Sequence, residues 1–309
     1  MAEKEEISCA ETLKRFAQRV TTSSTKERIG LLQNVTVCVG KPDFPENAVK
    51  GVFKFLSLAI SRYEDNRSRQ AVRNLVRELA KVHPVATLKN VTSALNSESE
   101  AQKKRVHASR SSSGDALFAL TWTCIVLQEV WTADVTCDKN DLKSLVSVQC
   151  GLIYGALAAG WKSVSDSTFR KMSRLFSLNK EKTAMYAELL QELEPSMYNL
   201  SAVSMLLKHL AKTKEQDLLS KLKGPFVEMY VKQILGSRNK PPKMLLESCN
   251  ELLRHLNHAE FKETVLPALQ KAMLRSPEII LEAVASLLLG VTIDLGQYVQ
   301  DLSKPLGSK

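Results

Sequence analysis

Residues 225–290 repeat one helical pattern. The first copy contains KQIL at 232–235 followed by Ser237, and the second contains KAML at 271–274 followed by Ser276, 39 residues further along. Apolar residues precede each motif at helical spacing, so each copy begins with an amphipathic helix. Those apolar residues are Phe226, Val227 and Tyr230 in the first copy and Val265, Leu266 and Leu269 in the second.

A second helix repeats as well, because MLLE at 244–247 returns as IILE at 279–282. This offset is 35 residues rather than 39, which places a four-residue length change in the turn. A unit of about 40 residues made of two helices is typical of HEAT and armadillo arrays. The sequence therefore predicts an all-α, HEAT/armadillo-like α-solenoid of antiparallel helix pairs with essentially no β-structure.

The composition is typical of a cytosolic protein with an anionic partner. The 309 residues carry a formal charge of +10, which favours nucleic acid, a ribonucleoprotein or an acidic protein surface. The six cysteines contain no Cys-x-x-Cys pair, so we expect reduced thiols. The first residues, MAEKEE, lack the features of a secretory signal, and the longest apolar run, 116–127, is too short to span a bilayer. We therefore expect a cytoplasmic protein without a membrane contact.

The chain is predicted to contain three regions. Residues 1–95 form N-terminal helical repeats, and residues 115–309 continue the HEAT-like repeats, with Gly151 among small residues where another helix can approach closely. Residues 96–114 are Ser-rich and lack an apolar period, so they are predicted to form a basic mobile loop whose removal over 97–113 is tolerated. No polar capping helix closes the array, which predicts the front of a longer protein.

Two groups of basic residues are candidate contacts for a polyanion. On a helix capped by Asp65 or Asn66, basic residues recur four apart on the side away from the apolar stripe, so we expect them to be exposed. An ordinary solvated face is the alternative, and a solubilising insertion is the alternative for the basic loop. The candidates are Arg69, Arg73, Arg77 and Lys81 on the helix and Lys103, Lys104, Arg105 and Arg110 in the loop, with Lys162, Arg170, Lys171 and Arg174 as the next group.

The sequence contains no motif that argues for catalysis. Neither a phosphate-binding loop nor a Gly-x-Ser-x-Gly element is present. His255 and His258 lie three apart and could place two metal ligands on one helix face, but Asn257 and the turn before Glu260 favour a helix end at this point. We predict neither enzyme activity nor a cofactor.

Several stretches resemble the N-terminal part of the general control nonderepressible translational activator family, which consists of very large HEAT-repeat proteins. The resemblance covers most of the chain and is weak over 96–113 and 132–141. The segments that carry it are KPPKMLLESC (240–249), LRHLNHAEFK (253–262) and LRSPE (274–278), supported by ETLKRFA (11–17), ALTWTC (119–124) and Gln297 with Tyr298.

The resemblance implies a cytosolic, non-enzymatic scaffold. Members of the family engage translating ribosomes, especially stalled or collided ones, and help to deliver the amino-acid-starvation signal to the initiation factor 2 alpha kinase. The kinase-binding part lies far toward the C-terminus of the family, outside this chain, so the expected partner here is the ribosome, through rRNA or ribosomal proteins. A generic HEAT-repeat adaptor and a nonspecific RNA-binding solenoid are the alternatives.

Overall fold

The computed structural model of the protein describes residues 8–104 and 109–304. These residues contain helices, turns and irregular segments, and no strand. Two compact units are present, with the division inside one helix after Leu152. The predicted all-α, HEAT-like class is confirmed. No helix in the described ranges combines the length and the apolar character needed to cross a membrane.

The first unit contains three successive helix pairs. Helices α1, α3 and α6 lie along one side, and α2, α5 and α7 lie along the other, so that equivalent helices of neighbouring pairs pack together. The helices are α1 (Cys9–Arg19), α2 (Thr25–Val39), α3 (Ala48–Leu56), α4 (Ala59–Arg62), α5 (Asn66–Val82), α6 (Pro84–Lys104), α7 (Arg110–Thr132) and the beginning of α8 (Lys139–Leu157).

Serine side chains cap the first two helices of this unit. The Ser8 hydroxyl accepts a hydrogen bond from the backbone N–H of Glu11 at 3.2 Å, and Ser24 accepts one from Glu27 at 3.4 Å. Each bond satisfies an N–H that has no partner inside the first turn of its helix. Local sequence therefore fixes where α1 and α2 begin.

The prediction of a mobile loop over 96–114 is wrong for the parts that the structure describes. Helix α6 continues to Lys104, and α7 begins at Arg110. Ser99 is fully buried, and its hydroxyl donates a hydrogen bond to the Val148 carbonyl of α8 at 3.0 Å. The two helices approach closely at Gly151, where an added Cβ would lie 3.0 Å from the Ser99 carbonyl oxygen. Small polar side chains, rather than apolar ones, thus make this contact.

The second unit repeats the same two-layer arrangement. Helices α9, α11, α13 and α16 pack successively in one layer, and α12 packs on α10, α11 and α13. The elements after α8 are α9 (Lys162–Phe176), α10 (Lys180–Glu192), α11 (Met197–Thr213), α12 (Gln216–Tyr230), a π-helical turn (Val231–Leu235), α13 (Lys243–Leu253), α14 (His258–Glu260), a second π-helical turn (Phe261–Val265), α15 (Leu266–Arg275), α16 (Pro277–Gly290), a 3-10 turn (Gly296–Tyr298) and α17 (Val299–Ser303).

The apolar stripes predicted for this unit form its core. All six apolar positions named for the first helix of each repeat copy are buried. In the second helix, Leu246 is buried, whereas its counterpart Leu281 is 65% exposed. The repeat therefore predicts the shared core correctly, but it does not fix the exposure of every position.

Candidate polyanion-binding surface

The first predicted candidate, Arg69, lies inside the packing between α5 and α7. Its Nη2 is 2.7 Å from the Asp115 carboxylate near the start of α7, and both side chains are only 17% exposed. The guanidinium also donates hydrogen bonds to the backbone carbonyls of Tyr63 and Ile60. Arg69 thus connects the end of α4 to α5 and α7.

Arg73 lies in the same contact between α5 and α7 as Arg69. Both guanidinium groups lie over the Phe118 ring, at 4.8 Å for Arg69 and 5.6 Å for Arg73 from its centroid. Burial, with a smaller contribution from the Arg69 charge, lowers the pKa of Arg73. Arg73 also donates a hydrogen bond to Gln70. These two arginines therefore take part in helix packing.

The expectation that the whole row on α5 is exposed is therefore wrong for its first half. Arg77 is partly exposed and has an ion pair with Glu129 of α7 at 3.6 Å, and Lys81 is exposed. Residues four apart drift by about 40° per step around a helix, and the long arginine side chains can reach across to α7. A role of these residues in binding a polyanion stays a prediction.

We expect Arg69→Ala to destabilise the first unit by about 3 kcal/mol, because it removes the 2.7 Å ion pair with the Asp115 carboxylate in a place where both side chains are only 17% exposed. Urea unfolding followed by circular dichroism measures the loss. Arg67→Ala removes an exposed arginine from the same helix and should change stability by less than about 0.5 kcal/mol. Equal stability of the two variants would contradict a structural role for Arg69.

The described members of the second predicted group lie at helix ends rather than in a loop. Lys103 is 17% exposed and pairs with Glu100 of its own helix at 2.7 Å. Lys104 is exposed at the end of α6, and Arg110 is exposed at the start of α7. Arg105 lies outside the described residues. The Lys103 side chain is thus mostly buried, with its Cε close to Gly151 of α8, and a polyanion contact of this group stays a prediction.

A third basic surface lies on α9 and α11 in the second unit. Thr168, Met172 and Leu175 are buried on α9, which leaves Arg170 and Arg174 exposed on its outer side. Helix α11 is buried over most of its length, and it exposes charged side chains only in its last turns. We call the exposed set of Arg170, Arg174, Lys208 and Lys212 the α9–α11 cluster.

An aromatic ring orients the two lysines of this cluster. Lys208 Nζ lies 4.5 Å and Lys212 Nζ 5.9 Å from the centroid of the Phe169 ring of α9. An ammonium group is attracted to the face of an aromatic ring. Phe169 therefore holds both lysines of α11 close to the arginine-bearing helix α9.

The contact between α9 and α11 beneath the cluster is uncharged at neutral pH. The His209 imidazole Nδ1 and the Ser173 hydroxyl are 2.9 Å apart, and the imidazole also packs against Phe176. Burial lowers the pKa of His209, so the ring stays neutral at pH 7. His209 thus ties α9 to α11 without adding a charge to the surface.

No carboxylate of the described residues forms an ion pair with the α9–α11 cluster. Glu215, which follows α11, is paired with Lys180 at 2.7 Å. Asp166 is exposed one turn before Arg170. The positive charge of the cluster is therefore less compensated than that of Arg69 and Arg77 on α5.

The other two residues of the predicted third group differ from the cluster. Lys171 is half-buried and has contacts of its own. Lys162 borders a groove of about 440 Å³ between α9, α11 and α13, and Phe169 and Lys208 of the cluster side line the same groove. Glu247 and Glu251 of α13 also line this groove, so its charge is mixed and Lys208 shares it with two carboxylates that form no ion pair with it. The sequence-based search missed Lys208 and Lys212.

His255 and His258, which the sequence places three apart, do not share a partner in the structure. His255 contacts Glu251 at 3.3 Å, whereas His258 contacts Tyr298 at 3.2 Å, so the two histidines have different partners. No group of His, Cys, Asp and Glu side chains in the described ranges could hold a metal ion. Burial raises the pKa of Cys249 to about 12, which keeps this thiol protonated.

Comparison with known proteins identifies related sequences. Residues 223–309 match the family described as "Stalled ribosome sensor GCN1 N-terminal". The chain is 40% identical over 297 residues to human "Stalled ribosome sensor GCN1", 40% identical over 300 residues to the mouse protein of the same name, and 28% identical over 306 residues to "Protein ILITYHIA" of Arabidopsis thaliana. These matches cover 96–97% of the chain but 11% of each relative. No solved structure matches the chain.

Proposed function

We propose that this chain corresponds to an N-terminal segment of the GCN1 family. In this proposal, it is part of a ribosome-associated, non-enzymatic scaffold in the cytosol. The observation that carries the proposal is 40% identity along almost the whole chain to proteins named stalled ribosome sensors. The net charge of +10 is compatible with a ribonucleoprotein partner.

The scaffold role fits the way in which these helices are built. Stacked helix pairs offer long exposed helix faces on a rigid support, and such arrays use these faces to bind large partners. Within this proposal, the chain contributes to ribosome association. The initiation factor 2 alpha kinase, which responds to amino-acid starvation, is engaged through regions outside this chain.

Sedimentation tests the proposal. We expect the purified chain to migrate with ribosomes through a sucrose gradient at low salt and to be released as the salt concentration rises, because phosphate contacts weaken with added salt. A helical-repeat protein of similar size and negative net charge serves as the control. Failure to sediment with ribosomes at any salt concentration would contradict ribosome association and favour a generic protein adaptor.

A further inference from the structure

We infer that the α9–α11 cluster binds the phosphate backbone of RNA. This inference deepens the proposed ribosome association and rests on it, because it assigns the contact to rRNA and to one surface of the second unit. It starts from four exposed cations, Arg170, Arg174, Lys208 and Lys212, on two adjacent helices.

The two lysines of the cluster are partly ordered before a ligand binds. A free lysine side chain gives up about 2 kcal/mol of rotamer entropy when it is fixed completely. The Phe169 ring already restricts Lys208 and Lys212, since both ammonium groups lie within 6 Å of its centroid, at 4.5 Å and 5.9 Å. Part of the ordering that a phosphate contact requires is therefore present in the unbound protein.

The positive charge of the cluster is not used in internal ion pairs. On α5, Arg69 and Arg77 direct their guanidinium groups to carboxylates of α7, so a phosphate would have to compete with those ion pairs. The four residues of the cluster have no such ion pair among the described residues. A polyanion can therefore bind to the cluster without breaking an internal ion pair.

The chemistry of the surrounding surface favours RNA over a protein or a membrane as the partner. The centre of a protein–protein interface is rich in aromatic and apolar side chains and poor in charge. Here the exposed apolar residues of this region, Trp161 and Leu178, lie beyond the two ends of α9. Between them the surface is charged and polar, and it offers no apolar face for insertion into a bilayer. Cations on neighbouring helices instead suit a chain of phosphates.

Two variants with the same change in net charge test the inference. The cluster variant combines Arg170→Gln, Arg174→Gln, Lys208→Gln and Lys212→Gln. The control variant replaces four exposed lysines elsewhere in the second unit, through Lys221→Gln, Lys232→Gln, Lys262→Gln and Lys271→Gln. Circular dichroism and thermal unfolding establish that both variants keep the wild-type fold. If the fourfold cluster variant does not keep the wild-type fold, the double variant with Lys208→Gln and Lys212→Gln replaces it.

The binding probe is a fluorescent single-stranded RNA of mixed sequence, roughly 20 nucleotides long. If all four cations contact phosphates, the slope of log Kd against log salt should be smaller by about 3 in the cluster variant than in the wild type. In the wild type, four phosphate contacts would lower the affinity for RNA roughly 50-fold when the salt concentration rises fourfold. The control variant should retain most of the slope and should bind more tightly than the cluster variant at low salt.

Ribosome sedimentation and vesicles with anionic lipid headgroups complete the test. Selective loss of RNA binding in the cluster variant supports the inference, even if the wild-type chain does not sediment with ribosomes, which would contradict the proposed function alone. Equal RNA affinities of the two variants would overturn the inference that the α9–α11 cluster binds RNA. Ribosome binding that depends on the cluster without any RNA binding would assign the contact to ribosomal protein, and binding to vesicles but not to RNA would assign it to a membrane.

Discussion

Removal of residues 97–113 should abolish the cooperative unfolding of the first unit. The deletion takes away the last two turns of α6 and the first turn of α7. Buried Ser99, Gln102 and Ser113 are lost with it, and the Val148 carbonyl of α8 loses its hydrogen bond from Ser99. The surface of α8 that these turns cover at Val148 and Gly151 would then meet water. We expect lost helix content and a broad first transition in thermal unfolding followed by circular dichroism.

A single substitution tests the packing of α6 on α8 without shortening the chain. Ser99→Leu places a large side chain where α6 meets α8, and we expect it to destabilise the first unit by about 2 kcal/mol. Ser97→Leu is the matched control, because Ser97 is exposed on the same helix. If the deletion variant melted like the wild type, the segment would be the dispensable insertion that its composition predicts.

The failure of the loop prediction has a physical reason. Sequence patterns identify a helix mainly through a stripe of apolar residues, and residues 96–104 have none. The Ser99 side chain of α6 is buried because it is small enough to fit against Gly151 and donates a hydrogen bond to a carbonyl of α8. That partner lies 49 residues away in the sequence. Only the tertiary structure brings the two together.

The repeat pattern, in contrast, predicted both the helix pairs and their core. Phe226 and Val265 are buried as expected from their periodic positions, because stacked units bury equivalent faces. The capping residues Ser8 and Ser24 were also predictable, since an N-cap depends on residues within one turn. Local and periodic features of this fold can therefore be predicted from the sequence.

The two basic surfaces differ in how far the sequence could reveal them. The row on α5 was visible, but Asp115, which pairs with Arg69, lies 46 residues away and could not be inferred from the helix itself. The α9–α11 contact was not visible, because Lys208 follows Phe169 by 39 residues, whereas the repeat offset found for helices of this layer is 35 residues.

Leu266→Asp should destabilise the second unit by about 4 kcal/mol or more. Leu266 is 6% exposed at the start of α15, and α15 packs on α16. The substitution removes apolar burial worth about 2–5 kcal/mol and places a carboxylate where no water can solvate it fully. Because the chain has two units, urea unfolding should be fitted with separate transitions. Only the transition of the second unit should move to lower urea concentration.

Leu274→Asp provides the matched control on the same helix. Leu274 is 59% exposed, so its carboxylate stays in water and the expected change is within about 0.5 kcal/mol. The comparison holds the residue types and the helix constant and varies only burial. Wild-type unfolding of Leu266→Asp, or an equal loss in both variants, would mean that the apolar stripe of this repeat does not form the core between its two helices.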